Sequence, residues 1–407
     1  SVSGTGTESR TITLDNLTGN GALTVSIASG TAMDLAGNSA PTASASDNIT
    51  VDNTAPSGLA LTVAGGDAYA TAQAVSLTLS GSDNHSVTGY FLSESSTTPS
   101  LDNFTSVTAT DNYSASLGFT LSSGDGAKTV YGWLRDTAGN IGGSASDNIS
   151  LDTTAPTVSV GSPSDNHSNS GPVSYTVSYT GADNVTLVAD NVTVTATGTA
   201  AAGSKSVTGS GTATRTITLD NLTGDGTLKV TIPAGTAFDN ASNTAPGAGP
   251  STAFTVDNTL TVSLGSPSDN NTKAGPVTLT VTYTGADNVT LVGDNVTVST
   301  TGTAAAGSKS VSGTGTGSRT ITLDNLTGSG TLAVSIASAT ANDFAGNSAP
   351  TASASDNITV DNTAPSGLAL TVAGGDAYAT AQAVSLTLSD SDNHSVTGYF
   401  LSESSTT

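Results

Sequence analysis

The chain has 407 residues, enough for about three domains of ordinary size, and its charge is lopsided: 9 basic against 32 acidic residues, a formal net charge of -23. That balance argues against nucleic acid and an anionic membrane surface, because no Lys/Arg cluster is present to neutralise phosphates, and it suits a solvated, self-repelling particle or one that binds cations. With no cysteine and 35% hydrophobic residues, disulfides cannot staple the small cores expected, which leaves a bound ion as the candidate staple.

No apolar run is long enough to span a membrane, and Ser1 opens a polar Gly/Thr stretch with no signal-peptide pattern. Two kinds of unit alternate along the chain. Residues 1–53 are the C-terminal part of a type A unit, 54–153 a type B unit, 154–257 and 258–362 two type A units, and 363–407 the N-terminal part of a second type B unit. Residues 1–98 recur as 310–407 with eight differences, among them Glu8 against Gly317, Met33 against Asn342 and Gly81 against Asp390. One phrase marks the joints: Val51–Pro56, Leu151–Pro156, Val256–Leu260 and Val360–Pro365, with Asp52, Asp152, Asp257 and Asp361 spaced 100, 105 and 104 residues apart. A period near 100 residues exceeds a solenoid repeat, so each unit is expected to be a self-contained domain. A chain that opens and ends in mid-unit is expected to be a window on a longer one.

Within 154–257 the spacing predicts strands near 157–160, 173–180, 185–188, 191–197, 213–219, 227–232 and 252–256. Val173, Tyr175, Val177 and Tyr179 alternate with small polar residues, as do Leu228, Val230 and Ile232, the period of a half-buried strand. Asp220–Gly226 reads as a hairpin loop by its turn residues. Seven short strands and no helical periodicity predict an all-β fold: tandem immunoglobulin-like antiparallel β-sandwich domains in an extended array.

The Asp-[Asn/Thr]-Thr-Ala-Pro joints recur together with an Asp-x-x-[Gly/Ser]-Asn turn before the last strand, at Asp34–Asn38, Asp136–Asn140, Asp239–Asn243 and Asp343–Asn347. In these features the chain resembles the bacterial immunoglobulin-like repeats of giant secreted adhesins and related surface proteins. The resemblance implies a long extracellular stalk at the cell surface, built of rigid modules, often with Ca²⁺ at their junctions. Its partners would be neighbouring copies of the repeats, and other cells or surface glycans reached through parts beyond this segment. Leu260 departs from the pattern by replacing Ala-Pro, so that joint is expected to bend differently. The alternative function is carbohydrate or ligand binding by sandwich-end loops; near-identical copies favour the stalk.

Catalysis finds little support. His85, His167 and His394 each follow Asp-Asn in a loop, without the partners that a nucleophile–base pair or a zinc site needs. Asp and Asn loops do suit a hard cation such as Ca²⁺. Sandwich topology is expected to bring three of them to one pole: Asp52, Asp83, Asp136 and Asn140 in the type B unit; Asp152, Asp183, Asp239 and Asn243 in the first complete type A unit; Asp257, Asp287, Asp343 and Asn347 in the second. The competing reading is that these residues only cap turns. A second pattern concerns Asn-x-Ser/Thr. Every such Asn follows an Asp: Asn16, Asn48, Asn84, Asn103, Asn112, Asn148, Asn166, Asn184, Asn191, Asn221, Asn240, Asn270, Asn288, Asn295, Asn325, Asn357 and Asn393. This reads either as an N-glycosylation signal or as a loop-to-strand entry. Trp133 beside Tyr131 is expected to pack inside the module rather than to bind sugar.

Overall fold

A computed structural model describes residues 1–372, 377–378 and 383–402; residues 373–376, 379–382 and 403–407, in the second type B segment, lie outside the described residues. Residues 1–53 form two small antiparallel ladders, β1 (Val2–Ser3) with β2 (Thr11–Ile12) and β3 (Gly21–Leu23) with β4 (Ile49–Val51).

In the type B module the strands are β5 (Ser57–Val63), β6 (Tyr69–Ala70), β7 (Ala74–Ser93), β8 (Thr105–Thr120), β9 (Gly126–Asp136) and β10 (Ala145–Leu151). β7 is one 20-residue strand that serves two sets of neighbours. Its first half pairs with β5 and β8, and its second half, from Val87, pairs with β9 while continuing alongside β8. The register shifts between Ser82 and Val87, so Asp83 stands on a bend inside a strand and not in a loop between two strands. Trp133 is 1% exposed, with ring centroids 5.9 Å from Phe91 and 6.0 Å from Tyr131. It packs within the module, as expected.

The module over 154–257 contains β11 (Thr157–Pro163), β12 (His167–Ser168), β13 (Val173–Thr180), β14 (Asn184–Val185), β15 (Thr193–Ala196), β16 (Ala201–Thr208), β17 (Thr214–Thr223), β18 (Gly226–Thr231), β19 (Ala237–Phe238) and β20 (Phe254–Val256). Two four-stranded sheets, ordered β11-β13-β17-β16 and β12-β20-β18-β15, form an immunoglobulin-like sandwich. The alternation along β13 becomes burial: Val173, Tyr175 and Val177 are 0% exposed and Tyr179 5%. Buried tyrosine hydroxyls need partners, and find them in the Thr252 carbonyl (3.1 Å) and Thr236 Oγ1 (3.2 Å). The module over 258–362 repeats both sheet orders.

Two local expectations change. Asp220–Gly226 is not a hairpin: β17 runs on to Thr223 in one sheet and β18 starts at Gly226 in the other, so Gly224 and Asp225 carry the chain across the sandwich between strands that do not pair. Gly224 has φ +73°, and a Cβ there would meet the Thr199 carbonyl oxygen at 2.1 Å, so the turn requires glycine. β16 was not among the predicted strands. It lies at a sheet edge and is mostly exposed, so no apolar alternation announces it. Backbone pairing to β17 over Ala201–Thr208 holds it in place.

Among the described residues, three hydrophobic cores are drawn from residues 61–151, 173–256 and 260–360. Leu260 is 7% exposed and joins the third. It fills from the joint side the place that buried Pro156 takes in the module before.

Candidate metal centre

At the pole of the type B module that faces the preceding joint, the structure brings together Asp52 from the joint, Asp83 from the bend of β7 and Asp136 from the end of β9. One carboxylate oxygen from each lies within 4.8 Å of the other two, and the residues are 9%, 8% and 2% exposed. Local bonds orient each group. Asp52 Oδ1 accepts the Thr54 N–H and the Asn84 amide, both at 3.1 Å. Asp83 Oδ1 accepts the His85 N–H at 2.8 Å. Asp136 closes its turn by accepting the N–H groups of Gly139 and Asn140 at 2.6 and 2.8 Å. Burial opposes the charge on Asp52, but the Asn84 amide, the Thr54 N–H and His85 outweigh it and hold the carboxyl below its ordinary value.

The second carboxylate oxygens of Asp52 and Asp83 are buried with no hydrogen-bond partner. A buried, unpaired carboxylate oxygen is costly, and three clustered carboxylates repel one another. An all-oxygen set of this kind fits a hard divalent cation, Ca²⁺ before a transition metal, and Ca²⁺ takes further oxygens from backbone or water. The same orphaned oxygen recurs at Asp392, the repeat copy of Asp83.

The type A poles are built differently. Among the described residues, Asp52, Asp83 and Asp136 form the one group of three or more potential metal-ligating side chains at this spacing. Asp183 is exposed and its Oδ2 accepts the Asn240 N–H at 3.0 Å; Asp287 is exposed and its Oδ2 accepts the Phe344 N–H at 2.8 Å. In both modules that carboxylate secures the Asp-x-x-[Gly/Ser]-Asn turn. Asp239 and Asp343 are buried and close the turn by accepting the Asn243 and Asn347 N–H groups.

The asparagines of these turns grip the incoming joint. The side-chain amides of Asn140, Asn243 and Asn347 donate to the carbonyls of Asp52, Asp152 and Asp257 at 3.1, 2.9 and 2.7 Å. A second set of straps comes from the module before the joint. The Gly-x-Gly turn there, which links two strands that do not pair, accepts the N–H of the residue after the joint aspartate: Asn20 Oδ1 from Asn53 (2.8 Å), Asp125 Oδ1 from Thr153 (2.9 Å), Asp225 Oδ1 from Asn258 (2.7 Å) and Ser329 Oγ from Asn362 (3.2 Å). Sequence reasoning missed these turn residues. Their signal is a polar residue between two glycines, 33 residues before the strapped joint residue in type A units and 28 before it in the type B unit. At the joint between the two complete type A modules, Asn169 adds bonds from its N–H to the Ala345 carbonyl and from its amide to Asn347 Oδ1, both 3.1 Å.

Solved structures of tandem modules resemble this chain. The tetra-tandem repeat in the extending region of a large adhesion protein matches at 25% identity over 84% of this chain and 82% of that one, with a TM-score of 0.28. The FN1–FN3 domains of chicken CNTN1 and a segment of titin each match at 15% identity over 75% of this chain and 99% of theirs, with TM-scores of 0.21. No protein-family model matches, and no curated protein matches.

No helix among the described residues is long and apolar enough to cross a membrane. His85 lies at the bend inside β7 and not in the loop expected of it, whereas His394 is a loop residue at the second A-to-B joint, its Nδ1 3.6 Å from Asp361 Oδ2. His167, which begins β12 and is not in the loop expected of it, packs its ring against Phe344 of the next module in a tilted arrangement, centroids 6.0 Å apart and planes at 48°. The seventeen sequon asparagines are exposed, apart from the half-buried Asn191 and Asn295.

Proposed function

We propose that this chain is a structural repeat region of an extracellular adhesin or surface filament, a semi-rigid stalk, and that Ca²⁺ stiffens it at the type A-to-B joints. The observation that carries this reading is the double strapping of the joints. At the three that lead into Asn140, Asn243 and Asn347, the module before holds the joint N–H while the module after holds the joint carbonyl. A hinge that must swing has no use for such bonds. Pro56 and Pro156 remove further freedom, because proline fixes its own φ and restricts the residue before it.

Asp52, Asp83 and Asp136 would hold the cation, which supplies positive charge where three carboxylates converge; that ties the joint, β7 and β9 together. Small-angle scattering tests the reading. A compact 100-residue module is roughly 33 Å across, so an extended array of about four modules should measure roughly 130 Å. A single compact globule of 407 residues would be roughly 55 Å. A maximum dimension near the smaller figure would overturn the stalk. A length and flexibility unchanged by chelator would overturn the role of calcium while leaving the stalk intact.

A further inference from the structure

We propose that the chain carries N-linked glycans on the asparagines of its Asp-Asn-x-Ser/Thr sequences. The sequence has 28 asparagines, 17 inside Asn-x-Ser/Thr and 11 outside. The fold uses the two groups differently. Of the 11 outside, nine donate a hydrogen bond through the side-chain amide nitrogen: Asn38, Asn140, Asn243 and Asn347 to their turn aspartates, Asn53, Asn258 and Asn362 to glycine carbonyls of the Gly-x-Gly turns, and Asn20 and Asn169 to neighbouring side chains. Of the 17 inside, four do so among the described residues: Asn84, Asn221, Asn288 and Asn393.

The joint asparagines are the sharpest comparison, because they too follow an aspartate. Asn53, Asn258 and Asn362 give Nδ2 to the carbonyls of Gly19, Gly224 and Gly328 at 2.9, 2.8 and 2.8 Å. Ala55, Leu260 and Ala364 stand two residues on, where a sequon needs a hydroxyl. The hydroxyl is missing where the amide nitrogen has a structural duty, and present where the nitrogen is mostly free.

Turn closure does not engage the amide nitrogen of these sequon asparagines: at some the preceding aspartate takes the backbone donor, and Asn103, Asn191 and Asn295 close their own turns through Oδ1. The N–H groups of Asn148, Asn221 and Asn325 each donate to the Oδ1 of their own preceding aspartate at 2.8 Å. Where a sequon side chain does serve the fold, it often serves as an acceptor. Asn191 and Asn295 take the N–H groups of Val188 and Val292 on Oδ1 at 2.9 and 3.0 Å, and Asn148 takes the Thr129 hydroxyl at 2.6 Å. In each case Nδ2 stays uncommitted.

Nδ2 is the atom that N-glycosylation consumes. The co-reactant is a glycan activated as a phosphate or diphosphate ester at its anomeric carbon, delivered by a transferase that reads the hydroxyl two residues on. The bond from Nδ2 to the anomeric carbon forms as the carbon–oxygen bond to phosphate breaks. The phosphate leaves with the electron pair, and Nδ2 gives up one proton to a base of the transferase.

Glycopeptide mass spectrometry of the chain purified from its native source decides the matter. Sugar is expected through Nδ2 on sequon asparagines, including the exposed Asn112, with Asn53, Asn140 and Asn258 bare. The variant Ser114→Ala, made in the same host, should lose the sugar at Asn112. Ser114 is exposed and its hydroxyl makes no hydrogen bond among the described residues, so the fold should stand, which circular dichroism checks. Bare asparagines at all sequons, sugar carried on serine and threonine hydroxyls instead, or a Ser114→Ala chain still modified at Asn112 would each overturn the proposal.

Discussion

Replacing Asp83 with asparagine should shift the stability of the type B module in opposite directions with and without calcium. One carboxylate oxygen from each of Asp52, Asp83 and Asp136 lies within 4.8 Å of the other two, and two unit charges at that distance repel by roughly 3.5 kcal/mol at an effective dielectric constant of about 20. Without a cation, Asp83→Asn removes two of the three repulsions. The gain is capped, because the parent protein can relieve itself by protonating one carboxyl, at about 4 kcal/mol near pH 7 for a group of ordinary pKa. The metal-free variant should therefore be more stable than the parent by roughly 2–4 kcal/mol, several degrees in melting temperature for a module of this size. In saturating calcium the sign reverses, since the variant loses a ligand. A cation at a thousand times its dissociation constant stabilises the parent by about 4.1 kcal/mol, enough to offset the variant's metal-free advantage, so the reversal is read above that calcium level. Trp133 is the only tryptophan and is buried in this module, so its fluorescence follows the right unfolding event. Shifts of the same sign in chelator and in calcium would refute the reasoning.

Asp125 accepts the Thr154 hydroxyl, the Thr153 N–H and the Thr153 hydroxyl, which hold its carboxyl below the ordinary value. A depressed folded pKa means that this strap is whole above the unfolded value and fails as pH falls through the folded one. Flexibility between the type B module and its successor should rise below about pH 4, and Asp125→Ala should give the same flexibility at neutral pH; scattering reads both. Leu260→Ala should destabilise the module over 258–362 by about 2–3 kcal/mol, as a buried leucine truncation does, while the module over 154–257 melts unchanged in calorimetry. Burial raises the pKa of Tyr175, Tyr179 and Tyr283, against the hydrogen bonds from their partners. Their contribution is whole below the unfolded value near 10 and is lost as pH rises through the folded values. Type A modules should lose stability above about pH 10, with tyrosinate absorbance rising together with unfolding.

The sequence alone determined the repeat order, the joints and the alternation that buries Val173, Tyr175 and Val177. A residue's face in a strand depends only on its parity, and a repeated module repeats its pattern. β16 was not legible, because an exposed edge strand is specified by the backbone of its neighbour and not by its own side chains. The straps from the Gly-x-Gly turns were likewise hidden: Asn20, Asp125, Asp225 and Ser329 differ in type and meet the joint only after about thirty residues of chain have returned. The metal centre shows the division most clearly. Asp83, Asp183 and Asp287 sit in similar local sequences, and all three were equal candidates. Tertiary structure separates them by one hydrogen bond, since the N–H of Asn240 or Phe344 occupies the oxygen in type A modules that the bend of β7 leaves orphaned at Asp83. Where a carboxylate points depends on which backbone donor reaches it, and that donor comes from a turn more than fifty residues away.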